Sequence, residues 1–135
     1  MKISLDASVI VELERGKLSL KEITQYDVFI SSVVVAEIFT GTYLRRDSKK
    51  ATSKARKLLS MFEVVPFDFE IAEIVGKINA YLISNGLPIE FEDTVIAATF
   101  IRKRGDVLVT NNAKHFRRIP EISEKVVSVN EFFKS

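Results

Sequence analysis

Short apolar segments alternate with amphipathic helical segments along the whole chain. Runs such as Val28-Phe29-Ile30 and Val107-Leu108-Val109 are typical of strands that are buried on both faces. Between such runs, residues 71–82 carry apolar side chains at the spacing of one helix face. This order predicts an α/β fold, in which helices cover both faces of a central, mostly parallel sheet. We expect one three-layer α/β/α domain over residues 1–135.

Capping residues and residues that end helices set the bounds of the predicted elements. Ser31 and Ser32 are candidate N-caps, and Gly16, Asn85-Gly86 and Gly105 are typical of helix ends. The predicted strands cover residues 3–5, 28–30, 64–65, 107–109 and 126–129. The predicted helices cover residues 7–14, 33–45, 48–62, 71–82 and 93–104.

Composition excludes several kinds of chemistry. The chain has no cysteine and one histidine, His115, so disulfide scaffolds, thiol catalysis and sites with several histidine ligands are excluded. Any metal site must therefore use carboxylates. No apolar run is long enough to span a bilayer, and the N-terminus does not resemble a signal peptide. We expect a cytoplasmic protein.

Three acidic residues are placed unusually for a solvated surface. Asp6 directly follows the first predicted strand, and the functional crevice of a parallel sheet lies beyond the carboxyl ends of its strands. Glu37 and Asp93 have mainly apolar neighbours at helical spacing, which predicts that both face inward. Simpler interpretations are helix N-caps for Asp6 and Asp93, and an exposed helix position for Glu37.

Three carboxylates brought together in this way would repel one another strongly. Two unit charges about 4 Å apart cost about 4 kcal/mol at an effective dielectric constant near 20. A bound divalent cation removes this cost, and oxygen ligands favour Mg²⁺ or Mn²⁺ over zinc. Such a site suits hydrolysis of a phosphodiester.

Polar and basic residues near the predicted crevice suggest a polyanionic substrate. Thr110 and Asn112 could orient water or a phosphate oxygen, although Asn-rich segments are also typical of turns. Basic residues cluster between positions 45 and 57 and again at 102–104 and 114–118. The first cluster alone is better explained as a solvated helix face, but two clusters beside an acidic crevice favour RNA. The candidate RNA-binding residues are Arg45, Arg46, Lys114 and Arg117.

Four stretches of the sequence together resemble a known family. They are Leu5-Asp6-Ala7-Ser8, Val35-Ala36-Glu37-Ile38, residues 91–99 (FEDTVIAAT) and residues 110–116 (TNNAKHF). In this order and spacing, the chain resembles the PIN-domain ribonucleases, and among them the VapC toxins of toxin–antitoxin pairs.

This resemblance implies a Mg²⁺- or Mn²⁺-dependent endoribonuclease that forms a dimer and is blocked by an antitoxin. It implies that Asp6, Glu37 and Asp93 are metal ligands and that Thr110 and Asn112 support the site. Many relatives have a fourth acid where this chain has Asn112 and His115, so we expect one metal ion at rest. Apolar residues of the helices between positions 33 and 62 also favour a homodimer.

Two other functions remain open from the sequence. The missing fourth acid is compatible with a non-catalytic PIN-like module that binds RNA or a partner. A phospho-acceptor receiver domain has a similar architecture, but the first strand here is followed by a single Asp instead of an acidic pair.

Overall fold

A computed structural model of the protein describes residues 1–133, which include a five-stranded sheet. The strands are β1 (Lys2–Leu5), β2 (Asp27–Ser31), β3 (Glu63–Val65), β4 (Val107–Thr110) and β5 (Val126–Ser128). Their order is β3-β2-β1-β4-β5, and every neighbouring pair is parallel. The predicted α/β fold is confirmed.

Helices connect the strands and cover the sheet. They are α1 (Ala7–Glu14), α2 (Leu20–Thr24), α3 (Ser32–Tyr43), α4 (Ser48–Leu59), α5 (Phe69–Ser84), α6 (Phe91–Arg102), α7 (Ala113–Phe116) and α8 (Val129–Phe133). Five of these were predicted, with small differences in bounds. The other three, α2, α7 and α8, were not predicted and have only four or five residues each.

Side-chain caps fix where the helices begin. The Ser31 hydroxyl accepts a hydrogen bond from the Val33 N–H at 3.2 Å, which confirms the predicted cap of α3. Asp6 caps α1 in the same way through Val9. In contrast, α6 begins two residues earlier than predicted, with Glu90 at its cap position, so Asp93 lies inside its first turn. The N-cap interpretation is therefore right for Asp6 and wrong for Asp93.

The core lies around the two central strands and α6. Ile3, Leu5, Leu108 and Val109 of β1 and β4 are fully buried. Residues 94–100 of α6 are also buried, because this helix packs between the sheet and the helices α3 and α5. No helix within residues 1–133 is long and apolar enough to cross a membrane.

This topology gathers polar residues at one edge of the sheet. Asp6 directly follows β1, and Thr110 ends the neighbouring strand β4. Because α3 follows β2 directly, it also begins at this edge. The first turn of α6 reaches the same place, as the contact between Asp93 and His115 of α7 shows.

Candidate active site

Asp6 is the most buried acid of the site. Only 5% of the residue is exposed. Its Oδ1 accepts a hydrogen bond from the Ser8 hydroxyl at 2.6 Å, and its Oδ2 accepts one from the Thr110 hydroxyl at 2.5 Å. Burial raises the pKa of Asp6 above its ordinary value, and these hydrogen bonds oppose the rise. Both carboxylate oxygens are therefore held in a fixed orientation.

Asp93 projects from the first turn of α6 and is close to Asp6. Its side chain is 16% exposed, and its Oδ2 lies 3.6 Å from Nδ1 of His115, an ion-pair distance. Burial raises the pKa of Asp93, the negative charge of Asp6 raises it further, and His115 lowers it. The two carboxylates therefore lie close enough to repel each other.

Glu37 joins this cluster, but not from the buried face of α3. The buried residues of that helix are Val34, Ile38 and Thr42, and Glu37 is exposed beside them. The prediction that Glu37 faces the core is wrong, because α3 is rotated so that Thr42 meets Thr52 of α4 at 3.0 Å.

The acidic surroundings of Glu37 nevertheless shift its pKa. Loss of solvation around its carboxyl, followed by the charges of Asp93, Glu92 and Asp6, raises the pKa of Glu37 to about 7. The predicted trio of Asp6, Glu37 and Asp93 therefore forms one electrostatically coupled group.

A hydrogen-bonded segment after β4 supports the acids. Thr110 is fully buried, and its hydroxyl accepts the Asn112 N–H at 2.8 Å while donating to Asp6. The Asn112 side-chain amide lies 2.8 Å from Nδ1 of His115. The structure thus places both predicted support residues, Thr110 and Asn112, beside the acids, and it adds His115.

Ser8 is a functional candidate that the sequence analysis missed. Its hydroxyl donates to Asp6 and accepts the Asn111 N–H at 3.1 Å, so it joins the turn after β1 to the turn after β4. Asn111 also donates to Glu12 of α1 at 2.6 Å. A polar residue two positions after a capping Asp is a signal that could have identified Ser8.

The donor set of the site is chemically suited to a hard divalent cation. Three carboxylates from separate elements have raised pKa values, because burial disfavours the charged form of all three and repulsion by neighbouring acids adds to this for Glu37 and Asp93. Within residues 1–133, however, no three acidic or histidine side chains are already arranged to hold a metal ion. Coordination would therefore require the carboxylates to draw closer together.

A groove of about 850 Å³ runs between α1, α3 and α4 and reaches Glu37. Four basic residues line it, among them Arg45, which also pairs with Asp47 at 2.9 Å. Arg46 is exposed in the connection between α3 and α4. The basic residues on the groove are Arg15, Arg45, Lys50 and Lys54.

The second basic cluster is divided between two places. The prediction that residues 102–104 lie beside the crevice is wrong, because α6 carries them to the opposite edge of the sheet. There Lys103 pairs with Glu63 at 2.9 Å, and its carbonyl accepts from Lys2.

The rest of this cluster lies on or next to α7. Lys114 is exposed, whereas Arg117 donates to the Val126 carbonyl at 3.1 Å and to Glu131 at 3.2 Å. Arg118 donates to the Pro88 carbonyl at 2.9 Å. Of these cations, Lys114 is the most open to a ligand.

Comparison with known proteins identifies this arrangement. The profile of the PIN domain matches residues 3–122. Ribonuclease VapC from Rickettsia bellii is 33% identical over 135 residues, which cover 97% of this chain and 100% of the relative. The chain belongs to the VapC ribonucleases of the PIN-domain family. The α/β fold and the ribonuclease toxin assignment predicted from the sequence are thereby confirmed, and the receiver-domain interpretation is wrong.

Other VapC proteins support the same grouping. The chain is 28% identical to the tRNA(fMet)-specific endonuclease VapC of Shigella flexneri, over 88% of this chain and 92% of the relative. Its fold matches the crystal structure of Rickettsia felis VapBC2 bound to promoter DNA with a TM-score of 0.84 and 27% identity, covering 95% of this chain and 98% of that chain. These relatives carry the names ribonuclease and endonuclease, which agrees with the ribonuclease activity predicted from the sequence.

Proposed function

We propose that the protein hydrolyses RNA phosphodiester bonds with one Mg²⁺ or Mn²⁺ ion held by Asp6, Glu37 and Asp93. The observation that carries this proposal is the convergence of three carboxyls from the end of β1, from α3 and from α6, where burial and, for Glu37 and Asp93, mutual repulsion raise the pKa. A folded protein that keeps such a cluster tolerates repulsion that a bound dication would relieve. We further propose that residues 1–135 act as one domain.

The proposed chemistry divides between the cation and the chain. When bound, the cation supplies Lewis-acid activation of water and stabilises negative charge on the phosphate oxygens. Asp6 provides a ligand that Ser8 and Thr110 hold in place, while Glu37 provides one from the solvent side. Asn112 and His115 take the place of a further acid, which favours one resident ion over two.

The groove gives RNA a route to these acids. Lys50 and Lys54 on α4 line the groove, together with Arg45, and Glu37 lies at the site. The other proposed RNA contacts are Arg46, exposed between α3 and α4, and Lys114, exposed on α7 next to His115. Because Arg117 already pairs with Glu131, we assign it a weaker role. A structured RNA such as the tRNA named for the Shigella relative is a suitable first substrate.

An antitoxin is the proposed protein partner. Related chains were crystallised as VapBC and FitAB complexes. The groove between α1, α3 and α4 is lined by apolar side chains, including the half-buried Val11 and Leu58, and by exposed charged side chains such as Lys50 and Lys54. A partner segment seated there would lie against Glu37 and keep RNA away. The cytoplasm, which contains both RNA and such a partner, is the proposed location.

We also propose a homodimer, although through a different surface from the one first expected. Of the apolar residues between positions 33 and 62, Val34, Ala55 and Leu59 are buried inside this chain, and the large exposed ones lie at or just after the ends of α3 and α4. These exposed residues are Tyr43, Leu44 and Met61. On α5, by contrast, Phe69 and Ile83 are 83% and 69% exposed. Small exposed residues lie between them along the helix, which would let a second copy approach closely. These residues are Ala72, Gly76 and Ala80.

Metal binding combined with cleavage distinguishes this proposal from a non-catalytic PIN-like module. The purified protein is incubated with tRNA and Mn²⁺, and Mn²⁺ binding is measured separately by calorimetry. We expect cleavage that EDTA abolishes, and both cleavage and Mn²⁺ binding should be lost in Asp93→Asn. Cleavage that survives EDTA or Asp93→Asn would reject the proposed site, and RNA binding without Mn²⁺ binding would favour the module.

A further inference from the structure

A chain of contacts joins the carboxylates of Asp6 and Asp93 through the segment after β4. The Thr110 hydroxyl donates to Asp6 and accepts the Asn112 N–H at 2.8 Å. The Asn112 side chain then lies 2.8 Å from His115, and His115 lies 3.6 Å from Asp93. One short segment therefore contacts both acids, and His115 is its last member.

The backbone holds the His115 ring beside Asp93. The His115 N–H donates to the Asn112 carbonyl at 3.2 Å at the start of α7. The neighbouring residue Phe116 is fully buried and anchors this short helix to the core. The backbone of His115 is thus held in place, while 36% of its side chain remains exposed.

The contacts of Nδ1 determine which ring nitrogen carries a proton. Nδ1 of His115 faces both the Asn112 amide and the Oδ2 of Asp93. An ionised carboxylate only accepts, whereas an amide presents either its oxygen or its nitrogen after a flip. In the structure the Asn112 amide nitrogen faces Nδ1 at 2.8 Å. With the amide turned so that its oxygen faces the ring, an Nδ1–H donates to Asn112 and is attracted to the Asp93 carboxylate 3.6 Å away.

We propose that His115, oriented by Asn112, is a positioning residue that fixes the carboxylate of Asp93 relative to Asp6. Its Nδ1 lies 3.6 Å from Oδ2 of Asp93, so His115 acts through that acid. This assignment rests on the proposed function and deepens it, because the orientation of the Asp93 carboxylate affects how tightly that carboxylate binds a divalent cation. Loss of such an outer partner typically weakens metal affinity by about 10- to 100-fold.

The first test uses the fact that His115 is the only histidine in the chain. A long-range ¹H–¹⁵N NMR spectrum then contains one imidazole and reads its tautomer directly. The spectrum is recorded without metal at about pH 8, at which histidine side chains are generally neutral. We expect the Nδ1–H form in the wild type, with a shift toward the Nε2–H form in Asp93→Ala and in Asn112→Ala. An Nε2–H form in the wild type, or an unchanged spectrum in Asp93→Ala, would overturn the proposal.

The second test measures Mn²⁺ affinity by calorimetry at the same pH. His115→Leu should weaken binding about tenfold or more, and His115→Gln, which keeps an N–H donor, should lose less. Lys125→Leu, an exposed change outside the site, is the matched control, and thermal melting checks that each variant folds. Mn²⁺ affinity in His115→Leu equal to that of the wild type would overturn the positioning role.

The two tests also separate this inference from the proposed function. A wild-type protein that binds no Mn²⁺ contradicts the proposed function. In that case the NMR comparison still decides whether His115 is coupled to Asp93.

Discussion

The hydroxyl of Thr110 donates to the carboxylate of Asp6 at 2.5 Å, which joins the carboxyl ends of the two central strands. Thr110 is fully buried and Asp6 is nearly so, so this contact is shielded from water. The first acid of the site is therefore built into the core, whereas Glu37 stands on a helix surface and is free to adjust.

Thr110→Val tests this contact, because it keeps the shape of the side chain and removes its hydroxyl. We expect a loss of about 1–3 kcal/mol in the free energy of unfolding, since a buried acceptor loses a charge-assisted hydrogen bond. Thr110→Ser keeps the donor and should lose less. Urea denaturation measures both, and a Val variant as stable as the wild type would contradict the assigned contact.

The pKa of Glu37 predicts how stability without metal depends on pH. Because folding raises this pKa from 4.5 to about 7, the folded state binds the proton more tightly than the unfolded state. The contribution of protonated Glu37 to the free energy of unfolding is therefore fully present below about pH 4.5 and is lost as pH rises through about 7. Since Glu37 is exposed, screening limits the effect to about 1 kcal/mol or less.

Thermal melting in EDTA between about pH 5 and pH 8 measures this dependence. We expect the wild type to lose stability as pH rises, and Glu37→Gln to lose less. Burial also raises the pKa of Asp6 and Asp93, so part of the loss should remain in the variant. Identical pH profiles for the wild type and Glu37→Gln would contradict the repulsion assigned to Glu37.

The basic side of the groove predicts a salt-dependent affinity for RNA. Lys50→Gln combined with Lys54→Gln should weaken RNA binding several-fold and reduce its slope against salt concentration, since fewer counterions are released. The control is Arg102→Gln with Lys103→Gln at the opposite edge of the sheet. Fluorescence anisotropy in EDTA isolates binding from cleavage. Equal losses in both double variants would contradict the proposed route.

The apolar face of α5 predicts the oligomeric state. We expect a dimer by static light scattering, and Ile83→Arg should shift it to a monomer because a charge would be buried at the interface. Leu44→Arg changes an equally exposed apolar residue on another surface and should remain dimeric. A monomeric wild type, or a dimeric Ile83→Arg, would reject this surface as the interface.

The central strands could be predicted from the sequence because burial on both faces leaves uninterrupted apolar runs. The long helices could be predicted because their apolar residues recur at the spacing of one helix face. Residues 113–116 could not, since a four-residue helix after two asparagines has the composition of a turn. The exposure of Glu37 could not be predicted for another reason. Periodicity shows which residues share one face of a helix, but not which face the helix turns toward the core. The distance of Arg102 from the crevice could have been predicted, because the 12 residues of α6 span about 18 Å at 1.5 Å per residue.

The site was predictable only in part, for a physical reason. Asp6 could be proposed because it follows the first strand at the carboxyl edge of the sheet, and Glu37 and Asp93 because acids among apolar neighbours are costly to bury. The roles of Ser8 and His115 depend on contacts between the turn after β1, the turn after β4 and α6, which are distant in sequence. Such contacts follow from the strand order, and a periodic pattern does not contain that order.

The central claim is that Asp6, Glu37 and Asp93 together hold one divalent cation. Calorimetric titration with Mn²⁺ tests it most directly, using the wild type, Asp6→Asn, Glu37→Gln, Asp93→Asn and the control Glu124→Gln, which changes an exposed acid elsewhere. We predict about one ion per chain for the wild type and Glu124→Gln, and at least a tenfold loss of affinity in each of the other three variants. A wild type that binds no Mn²⁺, or binding that is unchanged in all three variants, would contradict the claim.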